Sequence, residues 1–377
     1  MLNLALGFVS SFLVVLCIVR TTRMHGAVSL DVDLRGIQKH HAYAVPRIGG
    51  LALMCGITLT SALTPLWSES PFAESMLLLL CAVPVVAGGL AEDITKRISP
   101  CARLLCALAS ALAACLILNA VITRVDLPLV DPWLRILPVG IAITMLAAAG
   151  LTNAVNIIDG FNGLASVVAI LVFASIGHVA HELNDRFVMT IALTMIGSIG
   201  GFVVWNFPAP SIFLGDGGAY LAGFMMAELL VLLIARHPDI SAWYAVAVAI
   251  YPAFETLFSI YRRLARGRSA GQPDALHLHS LVYRRVVRKA PDSSDLRRCA
   301  RCNSRTSVYL WLLSLIGVVP ATFFWDMPIV LASATFAFAC VYVWLYLAIV
   351  RFRTPRWLRV VSNATDIPAS HAGQPRP

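Results

Sequence analysis

The feature that most constrains this chain is a series of long apolar stretches. An α-helix needs roughly 20 apolar residues to cross about 30 Å of hydrocarbon. About eleven stretches approach that length: 2–19, 48–66, 76–91, 101–119, 134–152, 163–180, 187–205, 218–235, 241–259, 308–325 and 328–349. Composition agrees: 59% of the 377 residues are hydrophobic and 13% charged, where soluble domains run to about 25% charged. A transmembrane β-barrel would show segments of about ten residues with alternating polarity, and none appear. The fold class is therefore all-α, a polytopic transmembrane helical protein. Pro84, Gly88 and Gly89 mark the third run as a broken or tilted helix. The first run lacks a preceding basic region and a small-residue cleavage site, so it reads as a retained helix.

The basic residues orient the chain. Lys and Arg concentrate in cytoplasmic loops. With the inter-helix segments numbered alternately and 20–47 taken as inside, 25 of the 29 Lys and Arg fall inside; Arg124, Arg135, Arg186 and Arg236 are the rest. This predicts an N-terminus outside and a C-terminus in the cytoplasm. The net charge of +9 then reflects topology and attraction to anionic headgroups or nucleotides; nucleic acid is not an expected partner. Residues 1–350 read as a single transmembrane catalytic domain with a cytoplasmic arm at 260–307. Residues 351–377 read as a disordered cytoplasmic tail. Most cysteines lie inside apolar runs as small core residues, and Cys299 with Cys302 forms a lone C-x-x-C in a basic loop.

Four polar motifs fall at the inside ends of helices, where charge costs about 2.5–3.5 kcal/mol if left in hydrocarbon. The first is Glu92-Asp93, with Lys96, Arg97 and Arg103 following; adjacent carboxylates repel unless a cation is near. The second runs from Asn153 through Asn156, Asp159 and Asn162. Spacings of three place Asn153, Asn156 and Asp159 on one side of a helical turn, and such oxygens suit Mg²⁺ and sugar hydroxyls. The third is Phe213-Leu214-Gly215-Asp216-Gly217-Gly218, opening a helix whose N–H groups favour an anion. The fourth is a basic arm with Arg262, Arg263, Arg266 and Arg268, then His277 and His279; clustered guanidiniums match phosphate oxygens. Each has a plain structural alternative: a solvated helix end, a polar helix contact, an N-cap by Asp216, a positive-inside cluster. Their convergence on one face favours a single site for a Mg²⁺-bound diphosphate.

At these residues the sequence resembles the polyprenyl-phosphate N-acetylhexosamine-1-phosphate transferases, glycosyltransferase family 4, over about residues 35–283. The strings Asn153–Leu164 and Phe213–Gly218 carry the resemblance, and Lys39 with 45–50 looks like the family's first inner loop. The basic arm looks like the UDP-GlcNAc:undecaprenyl-phosphate branch. The resemblance implies Asp216 and Asn156 at Mg²⁺ (or Mn²⁺) and the diphosphate. It implies Phe213 against the uracil, Asn162 facing the nucleotide-sugar and Arg263 reaching the diphosphate. Glu92 and Asp93 occupy the paired-aspartate position near the lipid phosphate. The chain departs from the pattern at Glu92, at Glu255 after Pro252 and at Ser280 after His279.

The expected reaction is transfer of a sugar 1-phosphate, with an N-acetylhexosamine as the sugar, from a UDP-sugar to undecaprenyl phosphate. UMP leaves, and a cell-surface glycan is begun. Catalytic roles are expected of Asp93, Glu92 and Asp216. Substrate contacts are expected of Asn153, Asn156, Asp159, Asn162, Phe213, Arg263, His277, His279 and Lys39. The expected location is the cell inner membrane, with the site on the cytoplasmic face; a homodimer is compatible with the sequence, which does not fix the oligomeric state. The runner-up is a secondary transporter with an intramembrane acidic and amide site, whose polar groups would sit near the midplane.

Overall fold

A computed structural model describes residues 1–30, 44–67, 72–267, 276–287 and 296–352, with side chains of 296–300 excepted. Lys39, Arg268 and nearly all of the C-terminal segment lie outside the described residues. The chain forms α1 (Leu2–Arg20), α2 (Thr22–Ser29), α3 (Gly49–Leu63), α4 (Phe72–Thr95), α5 (Pro100–Leu118), α6 (Asp131–Leu134), α7 (Leu137–Ile158), α8 (Leu164–Glu182), α9 (Arg186–Asn206), α10 (Gly215–Arg236), α11 (Trp243–Val248), α12 (Ile250–Leu264), α13 (Leu278–Val282), α14 (Leu296–Phe323) and α15 (Pro328–Val350). Ten helices among the described residues are long and apolar enough to cross a membrane.

The ninth apolar run, 241–259, is divided between α11 and α12, so ten of the eleven expected runs form single helices long enough to cross a membrane. Its break at Ala249 has a local cause. Pro252 lies in the first turn of α12, where its missing N–H costs nothing, whereas further inside it would remove a helix bond. One end of the pair is fixed by Ser241, whose N–H donates to the Trp325 carbonyl at 3.1 Å and whose hydroxyl donates to Asp126 at 2.9 Å. Arg124 binds the carbonyls of His237, Pro238 and Ile240 at that same end. These groups all belong to segments expected outside.

Of the two expectations for the third helix, broken or tilted, the break is absent. α4 runs unbroken through Pro84. The buried Ser110 hydroxyl on α5 accepts the Val85 N–H at 3.0 Å, meeting a donor beside the site where a proline disturbs the helical ladder. Gly89 serves packing instead: a Cβ there would lie 2.6 Å from Gly217 Cα, so α4 and α10 touch backbone to backbone. Small residues permit such close crossings between membrane helices.

α10 is the axis of the bundle. It is apolar all round, and such helices are buried; 83% of its apolar window is buried, against 22% for α1 and for α15. Its one acidic interruption beyond the first turn is Glu228, fully buried with neither oxygen hydrogen-bonded among the described residues. The first turn of α10 carries Asp216, so whatever fixes α10 fixes the position of that carboxylate.

Overpacking costs about 1–3 kcal/mol, so Gly89→Ala is expected to lower the thermal midpoint in detergent by several degrees. Gly150→Ala, whose Cβ would meet nothing within 4 Å, is the control and leaves the midpoint unchanged. Equal midpoints for both variants would show that the α4–α10 crossing is loosely packed.

Candidate active site

The first turn of an α-helix leaves N–H groups without helical partners. On α10 these are met by another helix. Asp93 of α4, buried, accepts the N–H of Asp216 on Oδ1 and of Gly217 on Oδ2, both at 2.8 Å. The anion at this N-terminus is thus the chain's own Asp93. It carries the capping that the sequence had suggested for Asp216, and the helix dipole favours the charge. Gly215 has φ +76°, and a Cβ there would lie 2.6 Å from Asp93 Oδ2. Only glycine takes this backbone and leaves room for the carboxylate.

Asp216 is freed from capping, and its side chain gathers cations. Arg47 and Arg103 donate to its two oxygens, and Asn156 Nδ2 donates to Oδ1 at 3.2 Å. Arg47 Nε also lies 3.3 Å from Asp93 Oδ1, so one guanidinium bridges both buried carboxylates. Arg47 is delivered by the 44–50 segment, which is pinned by backbone bonds: Arg47 N–H to Ser29 O at 2.9 Å, Phe213 N–H to Pro46 O at 2.8 Å, and Gly49 and Gly50 N–H to Phe213 and Leu214 O at 3.0 Å. Arg103 comes from the first turn of α5, its guanidinium 5.9 Å from the Tyr220 ring centre. The sequence pointed to Arg103 only as a local counter-charge for Glu92-Asp93 and to Arg47 only as part of a loop string. Their common target, Asp216, was not legible.

The helical spacing of the second motif places its amides on this cluster. Asn156 reaches Asp216 as above, and Asn153 Oδ1 receives the Tyr220 hydroxyl at 3.4 Å. Asp159 ends α7 and keeps partial exposure. Desolvation pushes its carboxyl up to about 8, opposed by Arg47 and reinforced by Asp93. Glu92 is committed to the α4–α5 turn, its Oε2 accepting the Ile98 N–H at 2.7 Å and its carbonyl the Lys96 N–H at 2.8 Å.

Asn162 acts as a strut. Its buried side chain donates to Pro208 O at 3.1 Å, its N–H to Asn303 Oδ1 at 2.8 Å, and its carbonyl accepts the Ser307 hydroxyl at 2.7 Å. Phe213 is half-buried beside Asp216, its backbone holding the 44–50 segment.

The arm folds onto the same turn. Glu255, fully buried, accepts from Leu278 N–H at 3.1 Å and Tyr342 OH at 2.7 Å, and pairs with His277 Nδ1 at 3.0 Å. His279, also buried, stacks on His277 with ring centres 5.1 Å apart and sets its edge against Phe161 at 5.4 Å. Glu255, noted in the sequence only as a departure, is therefore the anchor of the arm. Arg262 turns into the bundle over Phe258 and Tyr346, at 5.8 and 5.3 Å, while Arg263 stays half-buried at the end of α12.

A cation fits the Asp216 oxygens, since two guanidiniums already occupy them. Among the described residues no three His, Cys, Asp or Glu converge. A metal here would take few protein oxygens and the rest from substrate and water, which is the habit of Mg²⁺.

The raised Asp159 carboxyl gives a signed prediction. An unfolded Asp titrates near 3.9. Between about pH 4 and 8 the folded chain holds a proton that the unfolded chain releases, so stability falls as pH rises through that window. Asp159→Asn removes this slope. Its thermal midpoint relative to the parent is expected to climb from pH 4 to 8 and then level off. A difference that stays flat across the window would mean that Asp159 ionises as easily folded as unfolded.

Residues 75–234, which hold Asp93, Arg103, the Asn153–Asn162 motif and Asp216, match the family description "Glycosyl transferase family 4". The chain is 25% identical to the "Probable undecaprenyl-phosphate N-acetylglucosaminyl 1-phosphate transferase" of Bacillus subtilis strain 168, over 74% of this chain and 77% of that protein. It is 26% identical to the "Undecaprenyl-phosphate alpha-N-acetylglucosaminyl 1-phosphate transferase" of Yersinia pestis and to that of Escherichia coli K12, over 67% of this chain and 69% of each relative. Through this matched core the chain is similar to glycosyl transferase family 4.

Proposed function

We propose that this protein transfers a sugar 1-phosphate from a UDP-sugar to undecaprenyl phosphate, releasing UMP, at the cytoplasmic face of the inner membrane. The observation that carries the reading is the cluster that Arg47, Arg103 and Asn156 form on the buried carboxylates of Asp93 and Asp216 at the first turn of α10. Anionic and cationic groups gathered at one end of long apolar helices support a site shared by a membrane-held phosphate and a soluble nucleotide. The named relatives act on undecaprenyl phosphate and an N-acetylglucosaminyl 1-phosphate group, and UDP-GlcNAc is the default donor. The transporter reading lacks support: the cluster lies at one end of the helices, and Glu228 near the middle of α10 is a lone carboxyl with no hydrogen-bonded partner among the described residues.

In this reaction a lipid phosphate oxygen forms a bond to the β-phosphorus, and the bond from that phosphorus to the UMP oxygen breaks. Mg²⁺, held by Asp216 and Asn156, would supply charge neutralisation at the diphosphate. Asp93 acts as a positioning residue: both of its oxygens are committed to backbone N–H groups of the first turn of α10. No strong base is required, because the second pKa of a phosphate monoester is about 6 and the nucleophile is largely dianionic at neutral pH. Glu92 shapes the α4–α5 turn that presents Arg103. Phe213 is assigned to the uracil, Arg263 to the diphosphate, and His277 with His279 to the shape of the arm over the Asp159–Phe161 turn; Asn153 supports Tyr220 beneath the site.

The direct test measures UMP released from UDP-GlcNAc by purified enzyme with undecaprenyl phosphate. Release that does not depend on the lipid would refute the proposal. Asp216→Asn is expected to lower turnover by roughly 10²-fold, the scale of removing a charge stabiliser; unchanged turnover and unchanged Mg²⁺ dependence would remove it from the site. Asp93→Asn should be severe, because an amide –NH₂ cannot accept an N–H of the α10 turn. Its residual activity should keep the acidic limb near pH 6 that comes from the lipid phosphate. Loss of that limb would make Asp93 a base.

A further inference from the structure

The two arginines on Asp216 occupy the oxygens at which the metal reading places a cation. A guanidinium and a divalent ion cannot both hold them fully. Two further observations bear on what the arginines do when displaced. Arg103 Nε is buried and has no hydrogen-bond partner among the described residues, a donor left over at the edge of the cluster. Arg47 keeps 29% of its side chain exposed, although both carboxylates it bridges are buried. Each arginine therefore has capacity that the protein alone does not use.

The charge balance points the same way. A buried carboxylate without a counter-ion is strongly unfavourable, and here two carboxylates, Asp93 and Asp216, face two guanidiniums. A divalent cation arriving alone would leave the cluster with two surplus positive charges. Arriving with a diphosphate that carries two negative charges, it would keep the cluster neutral, provided the arginines turn from the carboxylate to phosphate oxygens. Guanidinium geometry suits both partners.

We propose that Arg47 and Arg103 are placeholder cations: they neutralise Asp216 before substrate arrives and pass to the donor diphosphate when the metal takes their place. The consequence is that metal and nucleotide bind together and not independently. This rests on the assignment of the metal to Asp216, so the test keeps the two ideas apart.

Mn²⁺ binding to the purified full-length enzyme without substrate is followed by the free-ion EPR signal, and UDP binding in the presence of Mg²⁺ by calorimetry. Removing one competing charge beside the carboxylate should tighten Mn²⁺ binding in Arg103→Gln and in Arg47→Gln by about tenfold. The same variants should bind UDP about tenfold more weakly, having lost a phosphate partner. Arg103→Lys keeps the charge and should bind Mn²⁺ as the parent does, which separates competition from general damage. Mn²⁺ affinity that is unchanged or weaker in both Gln variants overturns the placeholder role, and undiminished UDP affinity overturns the transfer to phosphate. Asp216→Asn addresses the metal assignment alone: it should abolish the Mn²⁺ site, and retention of that site would move the metal elsewhere whatever the arginines do.

Discussion

Asp93 is the constraint on which the rest of the site depends. Its two oxygens take up the first N–H groups of α10 and its charge holds Arg47, so one carboxylate joins α4, α10 and the 44–50 segment. A helix N-terminus buried without such a partner would leave donors unsatisfied, at about 1–3 kcal/mol each. With it, α10 begins at one fixed place, and Asp216 hangs from that first turn toward Arg103 and Asn156. The glycine at 215 and the backbone contact at Gly89 exist to let that carboxylate and that helix come close. The site is therefore a consequence of how two membrane helices are joined at their ends.

The chemistry also reaches beyond the segment shared with the family. Residues 75–234 supply the two carboxylates and the amides, but Arg47 precedes them and the arm follows them. Glu255, His277 and Tyr342 form a buried polar network that fixes the arm. Asn303, Ser304 and Ser307 of α14 brace the 162–163 turn and Pro208. Fully paired networks of this kind hold one geometry at little cost, whereas a half-paired one would be expensive. The matched segment thus supplies the carboxylates and amides of the cluster, while the flanks supply Arg47 and the buried networks around the arm.

Much of the fold was legible because membrane helices announce themselves by length and apolarity, and the apolar run at 241–259 was visible even though it is divided between α11 and α12. Pro84 misled: a proline disturbs a helix bond, but whether the helix breaks depends on what meets the neighbouring groups, and Ser110 lies 26 residues away in sequence. The motif at 153–162 was readable as a polar face because its spacing follows the helix turn. Which arginine meets Asp216 was not, since Arg47 lies 169 residues from it and spacing carries no information at that range. The partners of Asn162 were not legible either: a buried amide needs partners, and those it has, Pro208, Asn303 and Ser307, lie far from it in sequence. Glu255 and Glu228 show the two outcomes for a carboxylate in an apolar run, one fully bonded and one without a hydrogen bond among the described residues.

The central claim is that the β-phosphorus moves with the sugar onto the lipid. Donor labelled with ³²P at the β-position decides this in one partition experiment with undecaprenyl phosphate. If the account holds, the label passes into the organic phase at the same rate as the sugar, and unlabelled UMP remains in water. Sugar entering the lipid phase while the label stays in the aqueous phase as UDP would contradict it.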